Sequence, residues 1–267
     1  ADDLFAYITD ASDLSTGFTI TRPPTATDNT RVSWEIVEYA GITGADNEML
    51  VHEQGTITYG ANALTATGTA VAGVSDDNDV VVFITGQYNP DTGLENYNTG
   101  LSTARWDEVN DRPIFDRADA DGVAAAVSYA VVEFAGVNWD IQRVEHQYTA
   151  AGTAETESIT AVGSLSRAFL HAQKRVGNEL YNLDETGHEV WLSSIGAVSF
   201  ELESGATNPS DQTSVAWVIA NNQVDDGALE VYRSNGVISA GTVQPEAFTF
   251  SIGGTVSLGE ASIWATN

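Results

Sequence analysis

An internal repeat constrains this chain more than any other feature of its sequence. Residues 32–41 read Val-Ser-Trp-Glu-Ile-Val-Glu-Tyr-Ala-Gly, and residues 127–136 read Val-Ser-Tyr-Ala-Val-Val-Glu-Phe-Ala-Gly, with six identities in ten positions at an offset of 95. A weaker third copy lies at residues 215–221, 88 residues further on. Because the similarity continues on both sides of these segments, the sequence predicts three tandem copies of one structural unit.

The unit is predicted to be a β-sandwich. Side chains in residues 33–39 alternate with the two-residue period of a strand, and Phe248, Phe250 and Ile252 alternate with hydroxyl side chains. Short turns rich in Gly, Asn, Asp and Pro separate these runs, for example at residues 89–93 and 234–236. The predicted fold is all-β, with three tandem β-sandwich repeat units at residues 1–88, 101–175 and 188–267, joined by linkers at residues 89–100 and 176–187.

One segment departs from this pattern. In residues 164–175, Leu165, Phe169 and Ala172 have the spacing of a helix face. The repeat aligns this segment with a strand in the other copies, so we predict a strand here as well. The two linkers share the pattern Glu-x-Tyr-Asn, and we expect each linker to pack on its neighbouring unit through Tyr97 or Tyr181.

Aromatic residues recur at one position of the repeat. Trp34, Tyr129 and Trp217 are predicted to occupy equivalent core positions, because an aromatic residue on an alternating strand is usually buried. The alternative is a platform on which sugars stack. Trp106 and Trp191 lie where units begin, and we expect them to be more exposed than the other three.

Catalytic motifs are absent from the sequence. The four histidines, of which His52 and His146 fall at similar places in two copies, are not accompanied by His-Glu-x-x-His or Gly-x-Ser-x-Gly. Glu38 and Glu133 are repeat equivalents, whereas a glycosidase needs one distinctive pair of carboxylates in one place. A solvated or inter-unit contact position is therefore favoured for Glu38 and Glu133, and we predict that the chain is not an enzyme.

Two acidic turns are the candidate metal sites. Aspartates cluster before a predicted strand and again before Gly122, but neither cluster has the spacing of an EF-hand. Oxygen-rich turns can bind calcium weakly, but a plain solvated turn is the favoured interpretation and calcium the alternative. The candidate calcium ligands are Asp76, Asp77, Asp79, Asp119 and Asp121.

Charge narrows the range of partners. The 267 residues contain 10 Lys plus Arg and 38 Asp plus Glu, which gives a formal net charge of −28. This balance argues against nucleic acid and against an anionic membrane surface, since both are bound through basic residues. There is no cysteine, and the longest aliphatic-aromatic run, residues 80–84, is far shorter than the roughly 20 residues of a membrane helix.

The strands at residues 32–41 and 127–136 resemble repeats in structural proteins of tailed phages and related viruses. In such proteins small β-sandwich units are arranged in tandem as decoration, turret, fibre or tail-associated modules. The resemblance implies a non-enzymatic component on the outside of a capsid or tail. It carries over no catalytic or binding residue, and in the third copy Ala220 and Asn221 stand where Glu and an aromatic residue would be expected.

Other functions remain open at this stage. The chain could be an extracellular carbohydrate-binding or adhesin module, or a subunit of a surface filament. The expected location is the virion surface or the extracellular space. The expected partners are other virion proteins, copies of the chain itself and a host-surface glycan.

The charge leads to a first prediction. At −28 the chain repels itself, and added salt screens that repulsion beyond a Debye length of about 8–10 Å at physiological ionic strength. We expect the melting temperature to rise from low to molar NaCl, and to rise further with millimolar calcium if residues 76–79 bind it. Thermal unfolding followed by circular dichroism measures both effects. A melting temperature that stays flat or falls would contradict the prediction.

Overall fold

The computed structural model describes residues 7–10, 19–21, 42–88, 98–177 and 187–222, with only the backbone described for the first two ranges. Within these ranges it confirms an all-β fold, with three short 3-10 turns and no α-helix. None of the described segments is a helix that could cross a membrane. The strands are β1 (Tyr7–Asp10), β2 (Thr19–Thr21), β3 (Leu50–Thr58), β4 (Thr65–Thr67), β5 (Val80–Tyr88), β6 (Ser102–Asp107), β7 (Arg112–Arg117), β8 (Ala126–Glu133), β9 (Trp139–Gln147), β10 (Glu155–Ser158), β11 (Ala168–Val176), β12 (His188–Ser194), β13 (Ala197–Leu202) and β14 (Gln212–Asn221).

Four of the described sheets form two pairs with the same strand order. In the first sheet pair, the large sheet has the order β3-β8-β5 and the small sheet the order β4-β7-β6. In the second sheet pair, the corresponding orders are β9-β14-β11 and β10-β13-β12. Strands β1 and β2 form a separate antiparallel hairpin. The chain therefore uses one antiparallel topology twice.

Burial explains which strands lie at the centre. Strand β14 is buried at all ten positions and β8 at all but one, as expected for central strands covered on both faces. The edge strand β3 alternates for much of its length between exposed and less exposed residues, because only one of its faces is covered. The aromatic rings of Phe115 and Tyr129 lie 4.9 Å apart between the sheets of the first pair.

The strand predicted within residues 164–175 is confirmed. Strand β11 begins at Ala168, directly after a 3-10 turn at Leu165–Arg167, in which the Ser166 N–H donates to the Ser164 side chain. The first sheet pair has the same arrangement, since Asp76 caps the 3-10 turn Asp77–Asp79 before β5. The helical spacing of three apolar residues was therefore misleading, because a turn and a strand share those positions.

The described sheets do not follow the predicted unit boundaries. Strand β8, in the predicted unit 101–175, pairs on its two sides with β3 and β5, which belong to the predicted unit 1–88. Likewise β14, in the predicted unit 188–267, pairs with β9 and β11 of the predicted unit 101–175. The first sheet pair thus spans residues 50–133 and the second spans residues 139–221.

The predicted equivalence of Tyr129 and Trp217 is wrong by one residue. In the first sheet pair the Tyr59 N–H donates to the Ala125 carbonyl, and in the second the Tyr148 N–H donates to the Gln212 carbonyl. These two corresponding bonds align the β8 strand with the β14 strand at an offset of 87 residues rather than 88. Both aromatic residues are buried, as predicted, but they lie on opposite faces of their large sheets. Tyr129 packs inside its own sheet pair, whereas Trp217 packs into the core of the first sheet pair. A register shift of one residue moves a side chain to the other face of a sheet. Trp34 lies outside the described residues.

Polar side chains fasten the loops of the first sheet pair. Arg117 is 2% exposed, and its guanidinium donates to the carbonyl oxygens of Gly60, Ala61, Ala63, Thr99 and Val123. Asn98, the last residue of one Glu-x-Tyr-Asn pattern, is buried and donates from Nδ2 to Asp119 Oδ2 at 2.7 Å. The linker tyrosines Tyr97 and Tyr181 lie outside the described residues.

Candidate functional site

The interface between the two sheet pairs contains two open strand edges of the first pair. Strands β5 and β6 are edge strands of the large and small sheets of the first pair. An edge strand presents unpaired N–H and C=O groups, which cost free energy when they are buried without a partner. The outer face of the second pair's large sheet, formed by β9, β14 and β11, covers this side of the first pair. Val215, Trp217 and Ile219 of β14 belong to the core of the first pair.

One side chain joins both open edges. Gln173, on β11, is 4% exposed and donates from Nε2 to the Val82 carbonyl of β5 at 2.8 Å. Its Oε1 accepts from the Ala104 N–H of β6 at 2.7 Å. The Gln173 amide therefore makes two hydrogen bonds of the kind that a neighbouring strand would make, one to the large sheet and one to the small sheet of the first pair.

Two residues earlier on the same face, His171 caps the next free group of β5. Its Nε2 accepts from the Ile84 N–H at 3.3 Å, and its ring lies 4.9 Å from the ring of Phe83. Burial lowers the pKa of His171 from 6.5 to about 4. A neutral ring is also what the contact requires, because a protonated Nε2 cannot accept a hydrogen bond.

Arginines complete the interface. Arg143 of β9 donates from Nε to the Ala104 carbonyl at 3.2 Å, and its guanidinium lies 5.8 Å from the centre of the Trp217 ring. Arg175 of β11 donates from Nη1 to Thr103 Oγ1 at 3.1 Å and from Nη2 to Glu145 Oε1 at 2.6 Å. Each strand of this face except the apolar β14 thus supplies a polar contact to β5 or β6.

An open cleft of about 410 Å³ lies beside the interface. Its charged lining includes Arg105 and Arg175, together with Asp116 and Glu145. Arg105 Nε lies 2.8 Å from Asp116 Oδ2, so cations and carboxylates of the cleft are already paired with one another. The cleft therefore shows paired charges rather than a free charge of one sign.

The acidic turn before β5 has structural partners. Asp76 accepts from the N–H and the side-chain amide of Asn78, and Asp77 Oδ1 accepts from Trp106 Nε1 at 2.7 Å. The hydrogen bonds from Asn78 lower the pKa of Asp76. Burial and the negative charges of Asp76, Glu133 and Asp140 raise the pKa of Asp79 to about 6.

The second acidic turn lies at the other end of β8. Asp119 accepts from Asn98 and from the N–H of Asp121, and this loop precedes the start of β8 at Ala126. The first turn lies near the end of β8, since Val80 pairs with Glu133. The structure therefore does not bring the two predicted groups of calcium ligands together. Within the described ranges, no group of three or more His, Asp or Glu side chains is arranged to hold a metal ion.

Of the two roles expected for Glu133, a solvated position or a contact between predicted units, the structure shows the contact. Glu133 is 0% exposed and accepts hydrogen bonds from Ser75, from the Asp76 N–H and from His52 Nε2, the last at 2.6 Å. Burial raises its pKa, but these hydrogen bonds outweigh that effect and hold the pKa of Glu133 below its usual value. The carboxylate fixes the loop before β5 to β3. Glu38, its repeat equivalent, lies outside the described residues.

His52 and His146 are not equivalent in the structure. His146 is paired with Ser214 of β14, and Ile57 is paired with Val127 of β8. Because Val127 and Ser214 are related by the offset of 87 residues, the counterpart of His146 in the first pair is Ile57 and not His52. His146 lies between two carboxylates, with Nε2 2.7 Å from Glu155 Oε2 and Nδ1 2.9 Å from Glu157 Oε1. Its ring is stacked on Phe200 at 4.8 Å. These contacts fix the His146 ring within the second sheet pair.

Sequence reasoning missed the interface residues. His171, Gln173 and Arg175 alternate along β11, which is the pattern of a solvent-facing strand side. The feature that does indicate a covered face is the apolar side of β14 next to them. A face made of Val215, Trp217 and Ile219 would be unusually hydrophobic in water.

Comparisons with known proteins add no relatives. No protein-family profile matches the chain, and neither the curated proteins nor the solved structures contain a match.

The bridging amide gives a prediction about stability. Gln173→Ala leaves the Val82 carbonyl and the Ala104 N–H buried without partners, so we expect the free energy of unfolding to fall by about 2–5 kcal/mol. Gln142→Ala is the matched control, because the Gln142 amide also bonds the backbone on both of its atoms, at Thr160, but is more exposed. The control should lose less than about 1 kcal/mol. Urea unfolding curves measure both, and equal losses would contradict a special role for Gln173.

The His171 contact predicts a pH dependence. Between pH 6.5 and about 4 the unfolded chain binds a proton at this residue that the folded chain does not, so this part of the stability is complete above pH 6.5 and is lost as the pH falls. The variant His171→Gln keeps an acceptor for the Ile84 N–H but does not titrate. We expect the wild-type chain to lose stability relative to the variant as the pH falls from 6.5 to 4. Urea unfolding at several pH values measures the difference, to which Asp79 and the other shared carboxylates contribute equally in both proteins. Parallel curves would contradict the assignment.

Proposed function

We propose that this chain is a non-enzymatic structural component of a virion, placed on the outside of a capsid or tail as a decoration, turret or fibre-associated protein. Its three repeats are proposed to be β-sandwich units. The chain would act with other virion proteins and with copies of itself.

The observation that supports this proposal best is the interface between the sheet pairs. Gln173, His171 and Arg143 pair with backbone groups of edge strands in the neighbouring pair, so one unit can take only one position relative to the next. Rigid spacing of repeated units is what a surface component of a particle requires. A binding or catalytic module would not need such a fixed register between units.

The titratable groups of the described residues support the same view. His52 holds Glu133 in place at 2.6 Å, and His146 is held between Glu155 and Glu157. Asp76 and Asp77 serve a turn and an indole N–H. Each of these groups therefore has a partner within the fold that accounts for its position.

The net charge of −28 suits a surface that faces salt water and neighbouring acidic surfaces without aggregating. One of the few basic groups is withdrawn from solvent. Lys174, the only lysine, is 4% exposed and lies 5.8 Å from the centre of the Tyr148 ring. Burial lowers the pKa of Lys174 to about 7.

A carbohydrate-binding or adhesin module, or a surface-filament subunit, is the second candidate. Trp191 on the edge strand β12 is partly exposed and presents an aromatic ring of the kind on which sugars stack. In this case the rigid array of units would position the ring rather than cover a shell.

The experiment that separates these functions uses antibodies against this chain on material from its native source. We expect the chain to co-purify with virus particles through a density gradient, in a constant ratio to the main shell protein. Gold-labelled antibody should then mark the outside of a shell, tail or fibre in electron micrographs.

Two results would contradict the virion proposal. One is a chain that separates from the particles and labels cell-surface filaments. The other is a chain that is absent from purified particles and shows saturable glycan binding that Trp191→Ala abolishes, while Trp106→Phe, a change at a tryptophan whose Nε1 donates to Asp77, leaves it intact.

A further inference from the structure

The cleft beside the interface is built by both sheet pairs. The first pair contributes Arg105 of β6 and Asp116 of β7, and the second pair contributes Glu145 of β9 and Arg175 of β11. These side chains come together only because the two pairs are packed against each other. Contacts between structural units are a common place for ligand sites, and a volume of about 410 Å³ is within the range of such sites.

The charge balance of the cleft is opposite to that of the whole chain. The sequence contains 38 acidic and 10 basic residues. The cleft is lined by three arginines, Arg105, Arg117 and Arg175, and by two carboxylates, Asp116 and Glu145. Its lining therefore carries a formal charge of +1 within a chain of −28. A negatively charged group that is repelled by the chain as a whole is attracted at this place.

Pairing within the cleft occupies the carboxylate oxygens. Asp116 Oδ1 accepts from Thr65 Oγ1 at 2.9 Å, and Asp116 Oδ2 accepts from Arg105 Nε at 2.8 Å. Glu145 Oε1 accepts from Arg175 at 2.6 Å, and Glu145 Oε2 accepts from Arg143 at 3.0 Å. Each of the four carboxylate oxygens thus already has a donor within the fold.

N–H groups of Arg105 remain after this pairing. Among the described residues its guanidinium donates only through Nε, so the N–H groups of Nη1 and Nη2 are left for another acceptor. The Arg105 side chain is 44% exposed, which makes that end accessible from solvent. The hydrogen bonds from Thr65 to Asp116 and from Arg105 to Asp116 restrict the orientation of the guanidinium, whose N–H groups lie in one plane.

The second sheet pair shows that the fold does not require an arginine at position 105. The partners of Phe115 and Phe200 across their sheets are followed directly by Arg105 and Trp191, which makes these two residues counterparts. A tryptophan therefore stands where the first pair has Arg105. The ion pair of Arg105 with Asp116 is exposed, and exposed ion pairs contribute little to stability. Stability alone does not explain Arg105.

We propose that this cleft binds the carboxylate of an acidic side chain from a protein partner, with Nη1 and Nη2 of Arg105 donating to the two carboxylate oxygens. A carboxylate is planar and matches two parallel guanidinium N–H groups. A lining of +1 that includes Asp116 and Glu145 suits one negative charge better than the two of a phosphate.

A protein side chain fits the cleft better than a sugar acid does. None of the described residues that line the cleft is aromatic, and the ring on which a sugar would stack, Trp191, lies at the corresponding place in the other sheet pair. The inference names the chemistry of a contact between proteins, and it does not require the chain to be a virion component.

The test uses the full chain and a blocked glutamate, N-acetylglutamate N-methylamide, whose only charge is the side-chain carboxylate. The matched probe is the corresponding glutamine compound, which has nearly the same shape without the charge. Each probe is titrated into the isotope-labelled chain at constant ionic strength, and NMR follows the backbone signals of residues 116–118. We expect saturable shifts with the glutamate probe and none with the glutamine probe.

Two variants on one hairpin make the test specific. Arg105→Gln should weaken binding of the glutamate probe at least about tenfold, because a charge-assisted pair of hydrogen bonds is lost. The matched control is Arg112→Gln. The Arg112 side chain is 37% exposed and pairs through Nε with Asp107, but it does not line the cleft. We expect this control to bind the probe within about twofold of the wild-type chain.

Three results would overturn the proposal. The first is equal shifts with the two probes. The second is an equal loss of affinity in Arg105→Gln and Arg112→Gln, which would mean that any exposed arginine attracts the probe. The third is tighter binding of methyl glucuronide than of the blocked glutamate, which would assign the cleft to a sugar acid instead of a protein side chain.

A third variant separates geometry from charge. Arg105→Lys keeps the positive charge but not two N–H groups in one plane, so its affinity should lie between those of the wild-type chain and Arg105→Gln. Wild-type affinity in Arg105→Lys would overturn the two-point contact. The melting temperatures of the variants should stay close to that of the wild-type chain, because the pair of Arg105 with Asp116 is exposed.

Discussion

The described structure depends on the pairing of backbone groups at two open strand edges with side chains from a neighbouring sheet. Strands β5 and β6 end their sheets, and each would bury unpaired N–H and C=O groups if an apolar face were laid over them. Gln173 meets one group on each strand, and His171 and Arg143 meet one more each. A buried unpaired group costs about 1–3 kcal/mol, so these side chains decide whether the second pair can pack there at all. Trp217 and its apolar neighbours on β14 then supply the hydrophobic contact that polar residues alone would not give.

The same interface shows how a strongly acidic chain distributes its few cations. Arg105, Arg143 and Arg175 lie at or beside the contact between the sheet pairs, each near a carboxylate or a backbone carbonyl. Arg117 lies deeper and serves five carbonyl oxygens. Guanidinium groups are suited to this role because their several N–H donors are fixed in one plane. Salt screens the repulsion among those acidic side chains that face water.

The sequence was sufficient to predict the class of fold and the nature of most strands. Two-residue alternation and frequent turns predicted all-β structure, and the repeat correctly predicted a strand within residues 164–175 in spite of its helical spacing, although the strand begins only at Ala168. Burial of Tyr129 and Trp217 was also predictable, because aromatic residues on such strands rarely face water. The sheet face on which each of them lies was not predictable, because local similarity fixes an alignment only to within a residue and a shift of one residue reverses the face.

The interface residues were missed for a related reason: His171 and Gln173 alternate like solvent-facing residues, and only the neighbouring sheet shows that they are covered. For Glu133 the sequence left open a solvated position and a contact between predicted units, because the partners that bury it, Ser75 and His52, lie far away in sequence.

The boundary of a repeat is the feature that sequence comparison leaves undetermined. A repeating pattern reads the same from any starting point, so the similarity of residues 32–41 and 127–136 cannot show which flanking strands belong to which unit. Strand pairing resolves this for β8 and β14, each of which closes a sheet begun earlier in the chain. Neither described sheet pair can therefore form from a single copy of the repeat, because its central strand comes from the copy that follows the one supplying its edge strands. Asn47, just before β3, accepts hydrogen bonds from Asn138, just before β9, and from Asn221, at the end of β14. One amide oxygen thus joins the two sheet pairs at the place where the first strand of each begins, and the interface at β5 and β6 is supported by a second contact that is distant from it in sequence.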